Sequence, residues 1–401
     1  MTPPFFLILP LACLLLVSCV QKENLPPDIL ELEALSSYVL NDDVQKAEVI
    51  TELVRLMANK GFADSTDPLI LQITDYRGAL ARIAVWEELA KQGEFELVNS
   101  ELLKHSSLCR SGVGLQEMEI IVQMLSLADA VGGVERLEAK WKSEKIDIPP
   151  YISANVLPNF TRVGEKSSSR ALLGQSDQPS TSSAVDSAGI VEERMLWRGT
   201  SHGLAIQVQG LIAMNKVNEA RNLLAPFFAP GRKLPSSSLS QTTGLLLLAH
   251  RCGLDDEVRK RLPQLLEESA IIPAGWIPSF RDFSSLITLL GELGMKEQIP
   301  DLVAKCLKTQ TGNIEPYFLM LGTAQLAEGC WRGGQSELAL RLWRESFEMA
   351  VKTPNPRTQV VGVFEVWAGM QRADAVIPDD LRSKTAQWFG TVEKAYSDLK
   401  L

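Results

Sequence analysis

Residues Tyr317–Ala350, YFLMLGTAQLAEGCWRGGQSELALRLWRESFEMA, decide how the whole chain reads. Gly333-Gly334 splits the stretch into two helices. In the second, Leu338, Ala339, Leu342, Trp343, Ser346, Phe347 and Ala350 recur at helical spacing and form an apolar or small stripe. Arg341, Arg344, Glu345 and Glu348 fall on the opposite face. Gln335-Ser336 offers a side-chain oxygen to an orphan backbone N–H at the helix start. Thr353-Pro354 ends it, because proline removes a donor and restricts the residue before it. The stripe is wider than one partner helix needs, so such a helix packs on its own partner and on the next pair along.

The pattern recurs. With turns placed at Gly93, Gly132, Asn215, Gly253, Gly294 and Gly334, four offsets carry a core column. Eight residues before the turns stand Val85, Met124, Gln207, Leu245, Leu286 and Leu326. Four before stand Leu89, Ala128, Leu211, Ala249, Leu290 and Cys330. Five after stand Val98, Leu137, Ala220, Val258, Ile299 and Ala339, and nine after stand Leu102, Trp141, Leu224, Leu262, Val303 and Trp343. Only Gln207 is polar, in a chain that is 45% hydrophobic overall. The turns lie 39, 83, 38, 41 and 40 residues apart, and 83 is close to two periods. A fixed period of about 40 residues is the mark of stacked helical repeats that share one continuous core. The fold class expected is all-α: an α-solenoid of helix–turn–helix repeats.

At these residues the chain resembles the tetratricopeptide-repeat family. Ala327, Ala339, Ser346 and the closing Pro354 carry the resemblance, and Asn215–Ala220 is the next best match. The period exceeds the ~34 residues usual for that family, and most repeats lack its small residues, so the likeness is to the general repeat type. It implies binding of a protein or peptide in a groove.

At the other end, Phe5–Val17 is nearly all apolar with Pro10 inside, too short for the ~20 residues of a bilayer span. It reads as a signal-peptide core. Leu16-Val17-Ser18-Cys19 resembles a bacterial lipobox, which makes Cys19 the acceptor of acyl chains such as palmitate. No Lys or Arg precedes Phe5, a departure from the usual signal. The other reading is an ordinary cleaved signal. Val20 after the cysteine resembles envelope lipoproteins of Gram-negative bacteria that go to the outer membrane. The organisation expected is therefore a signal peptide (1–18), a lipid-anchored tether (19–27), N-terminal repeats (28–160), a Ser-rich loop (161–190), and C-terminal repeats (191–401) closed by a polar helix. Nine of the 21 residues Ser167–Ser187 are Ser or Thr. Such a segment buries too little apolar surface to offset its ordering entropy.

Composition narrows the partners. A net charge of −9 argues against nucleic acid and against attraction to anionic headgroups. Membrane attachment then falls to the lipid on Cys19. Four cysteines remain in the mature chain besides Cys19: Cys109, Cys252, Cys306 and Cys330. Cys306 and Cys330 stand on adjacent helices of consecutive repeats, but no tight spacing suggests a disulfide framework. The plain reading is four buried small hydrophobes.

The three histidines, His105, His202 and His250, are far apart, with no His-Glu-x-x-His and no Cys-x-x-Cys, so no metal or other cofactor is expected. Gly199-Thr200-Ser201-His202-Gly203 matches the nucleophile-elbow string, but that motif needs a strand before the serine. Here it reads as a helix break. Trp276, between Pro273 and Pro278, is the aromatic best placed to anchor a partner, with core packing as the other reading. The function expected is a non-catalytic scaffold on the periplasmic side of an envelope membrane. The alternative is an α/α toroid-like enzyme acting on cell-wall or polysaccharide glycans, with two carboxylates flanking the scissile bond.

Overall fold

The structure is a computed structural model that describes residues 25–38, 43–111, 115–146, 202–228, 239–269, 278–310 and 315–399. Among them every regular element is helical, with no strand. In chain order the α-helices are α1 (Pro27–Ser36), α2 (Asp43–Asn59), α3 (Asp67–Ile70), α4 (Arg77–Lys91), α5 (Phe95–Lys104), α6 (Leu115–Ala130), α7 (Val134–Ser143), α8 (residues 202–213), α9 (Val217–Leu224), α10 (Leu239–Arg251), α11 (Asp255–Ser269), α12 (Pro278–Glu292), α13 (Ile299–Gln310), α14 (Pro316–Arg332), α15 (Ser336–Lys352), α16 (Pro356–Arg372) and α17 (Asp379–Leu399).

The turns repeat in atomic detail. All six positions chosen from the sequence adopt left-handed backbone: Gly93, Gly132, Gly253, Gly294 and Gly334 have φ of 69–90°, and Asn215 has φ 61°. Gly61 (φ 87°) and Asp374 (φ 54°) join them. A Cβ is disfavoured there, so glycine dominates, and asparagine and aspartate are the next most tolerant residues. After Gly61, Gly93, Gly132, Asn215, Gly253, Gly294 and Asp374, the following N–H reaches back to the carbonyl four residues before the turn. Those seven bonds are 2.7–3.0 Å. This is the 6→1 bond of a Schellman motif, and it satisfies carbonyls that the helix end would otherwise orphan.

The core columns hold as well. Of the 24 positions, only Leu89 and Gln207 are half-buried; the others are buried. The same offsets from Gly61 reach Leu53, Met57, Thr66 and Ile70, which are also buried. The N-terminal helices thus belong to the same series. Asp374 lies 40 residues after Gly334 and continues it.

The residues group into two compact units. The first contains the chain up to Val85 together with Glu315–Trp331 and Ser336–Leu401. In it α1 packs on α2, both pack on α16, and α15 packs on α16. The α14–α15 pair is joined by the ring contact of Trp331 with Trp343 (5.9 Å between centroids) and by Ser346, whose hydroxyl donates to the Met320 carbonyl at 2.9 Å. Helix α16 starts at a proline behind Asn355, whose side chain accepts from the Arg357 N–H at 3.0 Å.

The second unit contains Trp86–Ile314 with Arg332–Gln335. Here α10 packs on α11 and α12, α12 on α13, α5 on α7, and α6 on α7. Glycines mark its closest approaches: Gly210 of α8 lies against the Ala90 carbonyl and the Phe95 ring, and Gly291 of α12 lies against the backbone of Gly333. Gln335 Nε2 donates to the Lys296 carbonyl at 2.8 Å.

Helix α12 begins at Pro278, since proline is tolerated in a first helical turn. The segment after α9 tightens into a 3₁₀ turn over Ala225–Phe228. In α17, Arg382 pairs with Asp28 of α1 at 2.6 Å. The Ser-rich segment 161–190, the signal peptide and most of the tether lie outside the described residues.

Candidate functional site

Cys19 and Trp276, which sequence reasoning marked for lipid attachment and partner contact, lie outside the described residues, as does Ser201 of the elbow-like string that reads as a helix break. What the structure adds is a set of buried or half-buried ionic groups that sequence spacing did not reveal.

The largest centres on Arg372, in the last turn of α16. Its guanidinium donates to Glu52 of α2 (2.6 Å), Glu328 of α14 (2.8 Å) and Glu365 of α16 (2.8 Å). Three carboxylates thus converge on one cation whose side chain is only 21% exposed. Burial alone would lower the guanidinium pKa, but Glu328, Glu365 and Glu52 more than offset it and hold the pKa well above its ordinary value. Burial pushes the Glu365 carboxyl up despite the Arg372 charge beside it, since Glu52 and Glu328 repel its anion. The cluster carries more anion than cation. It ties an early helix to two late ones.

Asp129 in α6 is a different case. Burial alone raises its carboxyl from 3.8 to about 8. It lies beside the turn at Gly132, whose N–H bonds to the Asp129 carbonyl at 3.1 Å.

Each histidine meets a carboxylate. His202 Nε2 lies 2.8 Å from Glu87, a residue that is 5% exposed; His250 Nδ1 lies 2.7 Å from Asp255; His105 Nε2 lies 3.4 Å from Glu101. The Glu87 contact holds the start of α8 to α4. Gly203, next along, sits so close to Ser126 that an added Cβ would stand 2.9 Å from both the Ser126 hydroxyl and its carbonyl oxygen. That packing gives His202-Gly203 a structural task at the start of α8.

The four thiols are free and buried. Burial raises Cys109 to about 11 and Cys306 and Cys330 to about 12, and raises Cys252 as well. A thiol so held is a poor nucleophile and a poor ligand. Among the described residues no group of three or more His, Cys, Asp or Glu is arranged to hold a metal ion. No described helix is long and apolar enough to cross a membrane.

Of the eight tryptophans, Trp86, Trp141, Trp343, Trp367 and Trp388 are buried and Trp331 is half-buried. Trp141 Nε1 donates to the Ser106 carbonyl at 2.9 Å, and Trp367 Nε1 to the Thr385 hydroxyl at 3.1 Å. A search of family models finds no match for the chain, and a search of curated proteins finds none either.

Proposed function

We propose that this chain is a tetratricopeptide-like scaffold of a bacterial envelope, anchored by acyl chains on Cys19 and facing the periplasm, with the outer membrane favoured. It binds a protein or peptide partner through its helical repeats and performs no catalysis. The observation that supports this reading is the recurrence of one helix–turn–helix unit. The same left-handed turn and the same buried offsets return from Gly61 to Gly334. Architectures of that kind present extended surfaces for macromolecules. The Leu16–Cys19 string supports the anchor. One acyl chain gives only marginal membrane binding at ~0.8 kcal/mol per buried methylene, whereas two or three hold firmly.

The test has two arms. Palmitate labelling and fractionation compare wild type with Cys19→Ser; label and membrane recovery in wild type only are expected. Absence of label in wild type sinks the anchor. Cross-linking in cells followed by mass spectrometry identifies the partner.

One observation favours the second reading, an all-helical enzyme acting on cell-wall or polysaccharide glycans: α1 and α2 pack on α16, so helices from the two ends of the chain meet. Toroidal helical enzymes also bring their ends together. Release of reducing sugar ends from peptidoglycan or polysaccharide by the purified protein would replace the scaffold reading with this one.

A further inference from the structure

Helix α1 is short and held in an unusual way. It has ten residues, and an isolated helix below about 12 residues is marginal in water. Its helicity therefore depends on docking. The docked face is a clean stripe: Leu25, Ile29, Leu32 and Leu35 are 7%, 1%, 0% and 2% exposed. Glu31 and Ala34 on the other side are exposed.

Beside the stripe stands one recognition group. The Asp28 carboxylate, in the first turn of α1, accepts from Gln371 of α16 at 2.9 Å and from Arg382 of α17 at 2.6 Å. Arg382 also lies 3.9 Å from Glu31 and over the Trp367 ring at 5.6 Å. The Tyr38 ring meets Phe389 of α17 edge-on at 4.9 Å. Gln371, Arg382 and Phe389 each lie more than 340 residues from the group they meet, so α1 docks as a peptide docks: an amphipathic helix in a groove, with apolar anchors at helical spacing and an acidic contact fixing its register.

We propose that α1 is a releasable strap occupying a helix-binding groove formed by α2, α16 and α17. The groove accepts an amphipathic helix that carries an acidic residue in its first turn, beside the apolar stripe. Its occupant is α1 of the same chain. Arg382 and Gln371 read the acid, and the Leu25-Ile29-Leu32-Leu35 stripe fills the trough. This assignment stands apart from the lipid and scaffold readings.

The test uses the full chain and a fluorescent peptide with the sequence of residues 25–38. In wild type the groove is filled in cis, so the peptide's apparent affinity is reduced by the small fraction of chains whose strap is open. Leu32→Ala weakens the strap and leaves the groove intact. Truncating a buried leucine shifts such an equilibrium roughly thirtyfold or more. Peptide affinity should therefore rise at least tenfold in Leu32→Ala, and it should fall again in Leu32→Ala/Arg382→Ala or with a peptide carrying Asp28→Asn. Hydrogen exchange on Leu32→Ala should show lost protection in α1 and unchanged protection in α14 and α15. Equal peptide affinity for wild type and Leu32→Ala overturns the proposal. So does loss of protection that spreads through α14 and α15, because α1 would then be an inseparable part of the core.

Discussion

Gly291→Ala should destabilise the protein, although alanine is the better helix former. Gly291 is in the last turn of α12, and a Cβ there would overlap the backbone of Gly333, with the Gly333 carbonyl carbon only 2.6 Å away. The obstacle is main chain at the left-handed Gly333-Gly334 turn, which cannot rotate aside as a side chain would. Helix propensity favours alanine by up to ~1 kcal/mol. Overpacking of a well-fitted contact costs about 1–3 kcal/mol, and a rigid neighbour puts this site at the upper end. The net is a loss of roughly 1–2 kcal/mol. Gly244→Ala in α10 is the control, since nothing lies within 4 Å of its Cβ position. It should stabilise by about 0.5–1 kcal/mol. Each kcal/mol moves Tm by ~2–4 °C in a unit of this size, so the two variants should melt several degrees apart on opposite sides of wild type. Scanning calorimetry and far-ultraviolet circular dichroism read this directly. If Gly291→Ala melts at or above Gly244→Ala, α12 does not abut the Gly333 turn.

Three further outcomes follow from the buried charges and thiols. Arg372→Met leaves Glu52, Glu328 and Glu365 crowded without their cation and should cost ~3 kcal/mol near neutral pH; urea midpoints should show the loss shrinking toward acid pH as Glu365, already raised by burial, takes up its proton. Asp129 is raised to about 8 by burial, so the folded state holds its proton more tightly than the unfolded chain. Its contribution is therefore present at acid pH and is lost as pH rises from about 4 to about 8; Asp129→Asn should flatten Tm against pH across that window, and an unchanged slope would contradict the burial of this carboxyl. Cys306 and Cys330, raised to about 12, should react with a maleimide only at the rate of unfolding; rapid labelling of native protein would show that they are accessible.

The repeat was legible because its punctuation is chemical. A left-handed turn nearly demands glycine or asparagine, so Gly93 through Gly334 declare themselves, and the offsets around them fix the buried columns. Asp374 was hidden because aspartate at φ 54° looks like any exposed acid. Gly61 was not legible as a member of the series, since only 32 residues separate it from Gly93. The ionic groups were illegible for a different reason. An apolar stripe tells a helix that it must be covered, not by which helix. Nothing in the spacing of Glu52, Glu328 and Arg372, or of Glu87 and His202, predicts that they touch. The last helix illustrates this: Arg382 looks like surface charge in the sequence and becomes the partner of Asp28 in the fold.

That pairing of distant helices sets a clock on synthesis. Asp28 meets Gln371 across 343 residues, and Glu52 meets Arg372 across 320. At about 5–20 residues per second, the ribosome takes roughly 15–70 s to produce the second partner after the first has emerged. Throughout that interval Ile29, Leu32, Leu35, Leu53 and Met57, all buried in the finished protein, have no α16 to cover them. The early helices are thus nascent-chain segments with sticky faces and a long wait. A holdase chaperone that recognises short amphipathic helices would find its best targets there, in α1 and α2.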